Sequence, residues 1–173
     1  MNEQNEIVED FNIEGFAVVE NSISLQYIEE AYREGMNLFS DVTKNIEVGG
    51  LHFGIGVKNG FREIVQRHAN RFEMKYSTDD DKFENLLEKN DHLRNIVGRA
   101  LQSSSFDIIN KSLVISLPGC EDQAWHSDGP HLDIEKHLPC HCLNLFIPLI
   151  DLKEIHGPTE IRPRSHVYSS AFF

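Results

Sequence analysis

The run His141–Ile150, H-C-L-N-L-F-I-P-L-I, constrains the fold more than any other stretch of the chain. It is apolar almost throughout and follows a polar loop, the pattern of a strand buried on at least one face. A second strand reads out of I-I-N-K-S-L-V-I-S-L (108–117), which ends at the Pro118–Gly119 turn. Trp125–Asp128 is a third, followed by a polar loop over Gly129–Pro139. The stretch H-G-P-T-E-I-R-P-R-S-H (156–166) then reads as a turn, a short strand and another turn.

The first hundred residues have a different texture. A short strand is expected around Gly15–Val19, and a helix capped by Ser22 or Ser24 is expected to run to about Phe39, on the spacing of Leu25, Ile28, Tyr32 and Phe39. Residues 48–60 are glycine-rich, and G-L-H-F-G-I-G there is a connection, a poor match to a phosphate-binding loop. A short helix over Phe61–His68 and a strand over Arg71–Tyr76 follow. The acidic S-T-D-D-D-K opens a helical region with two apolar stripes. One is Phe83, Leu86 and Leu87; the other is Leu93, Ile96, Val97, Ala100 and Leu101, with Asp91 as the cap between them. Helices first and strands after predict an α+β fold in which the sheet packs on the helices. At 173 residues this is one domain, helix-rich over about 1–104 and strand-rich over about 105–173.

Charge and cysteine content narrow the function classes. A formal net charge of -12 with scattered acids disfavours nucleic acid and anionic membrane as partners, since phosphate binding wants clustered Lys and Arg. Three cysteines, Cys120, Cys140 and Cys142, make neither a disulfide framework nor a four-cysteine zinc site. With no signal-peptide pattern in M-N-E-Q-N-E-I-V-E-D, no long apolar run and no peroxisomal ending in A-F-F, a cytoplasmic location is expected.

The chemistry concentrates in Asp122–Asp133, D-Q-A-W-H-S-D-G-P-H-L-D. His126 and Asp128 are two apart, which on an extended backbone puts both side chains on one face. An imidazole and a carboxylate together are two parts of the 2-His-1-carboxylate triad that holds non-haem Fe(II) with positions left open. Six of the nine histidines (126, 131, 137, 141, 156 and 166) lie in the last third of the chain. A zinc alternative would draw on His137, Cys140, His141 and Cys142, but adjacent strand residues face opposite ways and the usual paired spacings are missing. His131, His141, Glu160 and His166 are the candidates for a third ligand.

Three motifs in order, D-Q-A-W-H-S-D-G-P-H-L, L-P-C-H-C-L-N-L-F-I-P-L-I-D-L and G-P-T-E-I-R-P-R-S-H, resemble the phytanoyl-CoA dioxygenase family over about residues 105–170. The resemblance implies a double-stranded β-helix (a jelly roll) with flanking N-terminal helices. It also implies Fe(II) as cofactor, 2-oxoglutarate and O2 as cosubstrates, and hydroxylation of a small or lipid-like molecule. Carried onto this chain, His126 and Asp128 look like the first two iron ligands. Phe146 falls beside the cosubstrate, Asn144 within hydrogen-bonding reach of it, and Gln123 and Trp125 at the mouth of the site. No side chain is given the part of nucleophile or general acid-base. Gly157, Pro158 and Thr159 match the family's turn-and-strand signature. His166 matches a loop histidine that does not bind iron, so its service as the third ligand would be a departure. Arg164 stands where relatives usually carry glycine, at a turn that wants positive φ. The family's third ligand, a later histidine, and the arginine that grips the 5-carboxylate of 2-oxoglutarate would fall beyond Phe173, together with the closing strands. The expectation is therefore an incomplete jelly roll whose open sheet edge suits self-association. Its function is that of a dioxygenase-family protein or, alternatively, of an inactive truncated form that acts as a binding module.

Overall fold

A computed structural model describes residues 3–49, 63–76, 86–129, 132–133 and 135–168. Helix α1 (Glu3–Glu14) opens with Glu3 and Glu6 in its first turn, where carboxylates meet the positive end of the helix dipole. It stops at Gly15, which takes φ +86° while its N–H donates to Phe11 O at 2.9 Å. The strand expected over Gly15–Val19 does not form: the chain stays helical through Glu14, and the residues after Gly15 join no ladder.

Helix α2 (Leu25–Gly49) runs ten residues past the expected end at Phe39. Its N-terminus is as read, with Ser24 Oγ accepting from Tyr27 N–H at 3.2 Å. Ala31, Phe39 and Val42 are buried, and Gly35 lets the helix lie close on the sheet, since a Cβ there would stand 2.7 Å from Leu113 Cδ2.

The sheet is antiparallel with order β1-β2-β3, from β1 (Glu63–His68), β2 (Arg71–Tyr76) and β3 (Lys111–Ser116). The segment expected as a short helix over Phe61–His68 is thus strand from Glu63. The β-branched pair Ile64 and Val65 suits a pleated surface, and β2, two residues further on, supplies the hairpin ladder that overrides a helix there. Asn70, at φ +60°, closes the β1–β2 hairpin; its carbonyl accepts from Leu117 N–H at 2.8 Å and its amide donates to Pro118 O at 3.1 Å. One face of the sheet packs on α2 in a core of Phe39, Met74 and Ile115, with Phe39 and Phe72 rings 5.2 Å apart. Val114, on the opposite face of β3, is exposed.

Between β2 and β3 lie the short helix α3 (Leu86–Lys89) and helix α4 (Asp91–Ala100). Phe83 lies outside the described residues. Asn90, not Asp91, caps α4: its Oδ1 accepts from Leu93 N–H at 3.0 Å while its Nδ2 donates to Ser22 O at 2.6 Å. Of the expected stripe, Leu93, Ile96, Val97 and Ala100 are buried, and Leu101, at the C-cap, is half-buried. Gln102 at φ +52° ends the helix, with Ser103 N–H donating to Gly98 O and Gln102 N–H to Arg99 O, the paired bonds of a Schellman cap. Helix α1 packs against α4, and Arg99 Nη2 donates to Asn5 Oδ1 at 2.6 Å.

Beyond Ser116 the described chain is extended or turned and joins no ladder. The strands expected over Trp125–Asp128, His141–Ile150 and within 156–166 are therefore not sheet strands here; 3-10 turns occupy Glu154–His156 and Ser165–Val167. Apolar side chains along this stretch stay exposed, among them Phe146 at 63% and Ile155 at 88%. The far end is fastened to α1. Arg164 N–H donates to Glu14 O at 2.7 Å, and its guanidinium makes a bidentate pair with the Glu14 carboxylate, Nη2 to Oε1 at 2.7 Å. Arg164 takes φ +63°, the left-handed turn expected of this position. The architecture is α+β, a three-stranded sheet under one long helix. Among the described residues no helix is long and apolar enough to cross a membrane.

Candidate metal centre

The Pro118–Gly119 turn, with Gly119 at φ +80° and Cys120 N–H donating to Leu117 O at 3.1 Å, sends the chain out of β3 into an extended stretch. On it the two-residue spacing does what it should without a ladder. His126 Nε2 and Asp128 Oδ1 face each other at 3.3 Å, with both side chains about half exposed. Ser127 between them turns elsewhere and donates to Gly129 O at 2.8 Å.

Two further bonds orient the pair. His126 Nδ1 lies 2.8 Å from Ala124 O. A carbonyl oxygen only accepts, so Nδ1 carries the proton and Nε2 is the nitrogen left to bind a ligand. Asn144 Nδ2 donates to Asp128 Oδ2 at 2.8 Å, which ties the 141–150 segment to the 124–128 segment. In the neutral tautomer, Nε2 and Oδ1 are thus two lone-pair donors held 3.3 Å apart, an arrangement that suits a cation bound by both. A divalent ion about 2.1 Å from each donor, at a right angle, separates the donors by about 3 Å, close to the spacing observed. A histidine steadied through its other nitrogen by a backbone carbonyl is how metal-binding imidazoles are usually held. These two residues fit a divalent metal.

The other expected site residues are not gathered here. Gln123, Trp125 and Phe146 are exposed, and no hydrogen bond or ring contact joins them to the pair. His166 sits at the end of α1, with Nε2 3.3 Å from Asn12 O, its ring against Gly15, and its Nδ1 buried without a hydrogen-bond partner. His137 meets the His166 ring edge-on at 5.5 Å, and His156 Nδ1 accepts from Lys153 N–H at 3.0 Å. His141 and Glu160 are exposed, and His131 lies outside the described residues. Among the described residues no three of His, Cys, Asp and Glu form a group able to hold a metal, which also leaves the zinc alternative without a cluster. There, burial pushes the Cys140 thiol up from its ordinary value, and its Sγ donates to Cys142 O at 3.3 Å.

The sequence placed Asn144 near a cosubstrate; the structure places it on Asp128. The pairing of Glu14 with Arg164 was not foreseen, and the turn at Arg164 was its one sequence signal. No protein-family model matches the chain, and no solved structure matches it.

Proposed function

We propose that this chain is an Fe(II)- and 2-oxoglutarate-dependent dioxygenase-type protein that hydroxylates a small or lipid-like molecule, with His126 Nε2 and Asp128 as metal ligands. The observation that carries the reading is the facing of His126 Nε2 and Asp128 Oδ1 at 3.3 Å, each oriented by a bond on its far side. When bound, iron with 2-oxoglutarate and O2 would supply the oxidising power that no side chain has. His126 and Asp128 bind the ion, and their half-exposed setting leaves it open to exchangeable ligands. In this reading the segments after β3 belong to a double-stranded β-helix, and the exposed apolar side chains at Leu145, Phe146, Ile150 and Leu152 are faces that such a sheet covers.

Those same exposed side chains favour a second reading, a binding module without turnover that takes a partner's strand along 141–152. Anaerobic titration with Fe(II) and 2-oxoglutarate separates the two. A weak visible charge-transfer band that disappears in His126→Ala supports the dioxygenase reading. Unchanged Fe(II) affinity in both His126→Ala and Asp128→Ala sinks it.

A further inference from the structure

Asp128 can offer a metal one oxygen or two, and the choice decides how many coordination positions remain for other ligands. A bidentate carboxylate takes two positions; a single oxygen takes one. The structure distinguishes the two oxygens sharply. Oδ1 faces His126 Nε2 at 3.3 Å, while Oδ2 accepts the Asn144 amide at 2.8 Å. The direction of that bond is fixed by chemistry, since an ionised carboxylate only accepts, so the Asn144 group turned to it is the NH2.

We propose that Asn144 is a positioning residue for the metal centre: it engages Asp128 Oδ2 and so presents Oδ1 alone beside His126 Nε2. The proposal rests on the reading of His126 and Asp128 as metal ligands. It differs from the cosubstrate contact that the sequence suggested for Asn144. The bond also has a mechanical part. Asp128 and Asn144 are sixteen residues apart, on two extended segments that share no ladder. The amide holds the ligand-bearing segment against its neighbour where backbone bonds do not. His126 is steadied differently, by a carbonyl of its own segment, Ala124 O at 2.8 Å. One ligand is thus oriented locally and the other from a distance. The distant one is open to change without touching either ligand.

The test uses the full chain and two variants. Asn144→Leu keeps most of the volume and removes the donor; Asn144→Gln keeps an amide donor on a longer stem. Fe(II) is titrated anaerobically, with Co(II) as a spectroscopic stand-in. Asn144→Leu is expected to weaken metal binding by about 10- to 100-fold, the usual cost of losing such a partner, while Asn144→Gln recovers part of the loss and thermal unfolding stays alike. Equal affinity in all three chains, or equal loss in both variants, overturns the proposal while leaving the metal site intact. If the unaltered chain binds neither ion, or binds both as well after His126→Ala, the reading of the site itself has failed. An independent check needs no metal. The side-chain amide resonance of Asn144 in a 15N-resolved spectrum is expected to move in Asp128→Ala, and an unmoved resonance also overturns the proposal.

Discussion

Cys140 and Cys142 stand two residues apart in surroundings that treat their thiols differently. Cys140 is half-buried, and burial pushes its thiol up from the ordinary value while its Sγ points at the Cys142 carbonyl oxygen, 3.3 Å away. Cys142 is exposed. The thiolate is the reactive form, so iodoacetamide at neutral pH is expected to label Cys142 several times faster than Cys140, as peptide mass mapping would measure. Equal rates would mean that the half-buried position of Cys140 does not hold in solution. The same contrast explains why L-P-C-H-C was readable only as an ambiguous cluster. Spacing names the residue types, whereas burial decides which of them is available to chemistry.

Among the elements, what was legible followed local rules. The buried stripe Leu93, Ile96, Val97 and Ala100 on α4 and the Ser24 cap of α2 could both be read from spacing. So could the facing of His126 and Asp128, because alternation along extended backbone needs no partner. What failed needed information from outside the segment itself, whether from the adjacent strand of a hairpin or from further off. Residues 63–68 are strand because β2 lies beside them, and 141–150 has strand-like residues without a described ladder. An apolar run reports the wish to be covered; it does not name the cover. The end of α1 also depends on a distant segment. Gly15 at φ +86° leaves no room for a side chain, since an added Cβ would stand 2.4 Å from His166 Nδ1. Gly15→Ala is expected to destabilise the fold by about 1–2 kcal/mol from the left-handed backbone alone, with the collision adding to it. Thermal or urea unfolding reads this out, and a neutral result would show that the 165–168 segment does not rest on α1.

For the molecule as a whole, the Glu14–Arg164 pair is a fastening open to pH. The hydrogen bond from Arg164 holds the Glu14 carboxyl below its ordinary value of 4.5; burial opposes it, and the charges of Arg164 and His166 add smaller effects in the same direction as the hydrogen bond. A depressed carboxyl stabilises the folded state above its unfolded value, and that contribution is lost as pH falls through the folded value. The fastening is therefore expected to be fully in place above about pH 5 and to weaken progressively below 4.5. Hydrogen exchange at the Arg164 amide, which donates to Glu14 O, would follow it; exchange that rises no faster than the global unfolding trend would rule out local release.

On the proposed reading of His126 and Asp128 as metal ligands, the anchoring at Glu14 also bears on how the pair meets an ion. The stretch that carries His126, Asp128 and Asn144 leaves the sheet at Ser116 and is secured again at Arg164, so it is a loop held at both ends and not a free tail. Closing such a loop removes chain entropy once, during folding, and the loss grows only slowly with loop length. On that reading, a cation would meet a segment already tied at both ends, and a smaller share of the binding free energy would go into restraining it. Releasing a contact far from the donors, at the end of α1, would thus lower metal affinity without altering a single ligand atom.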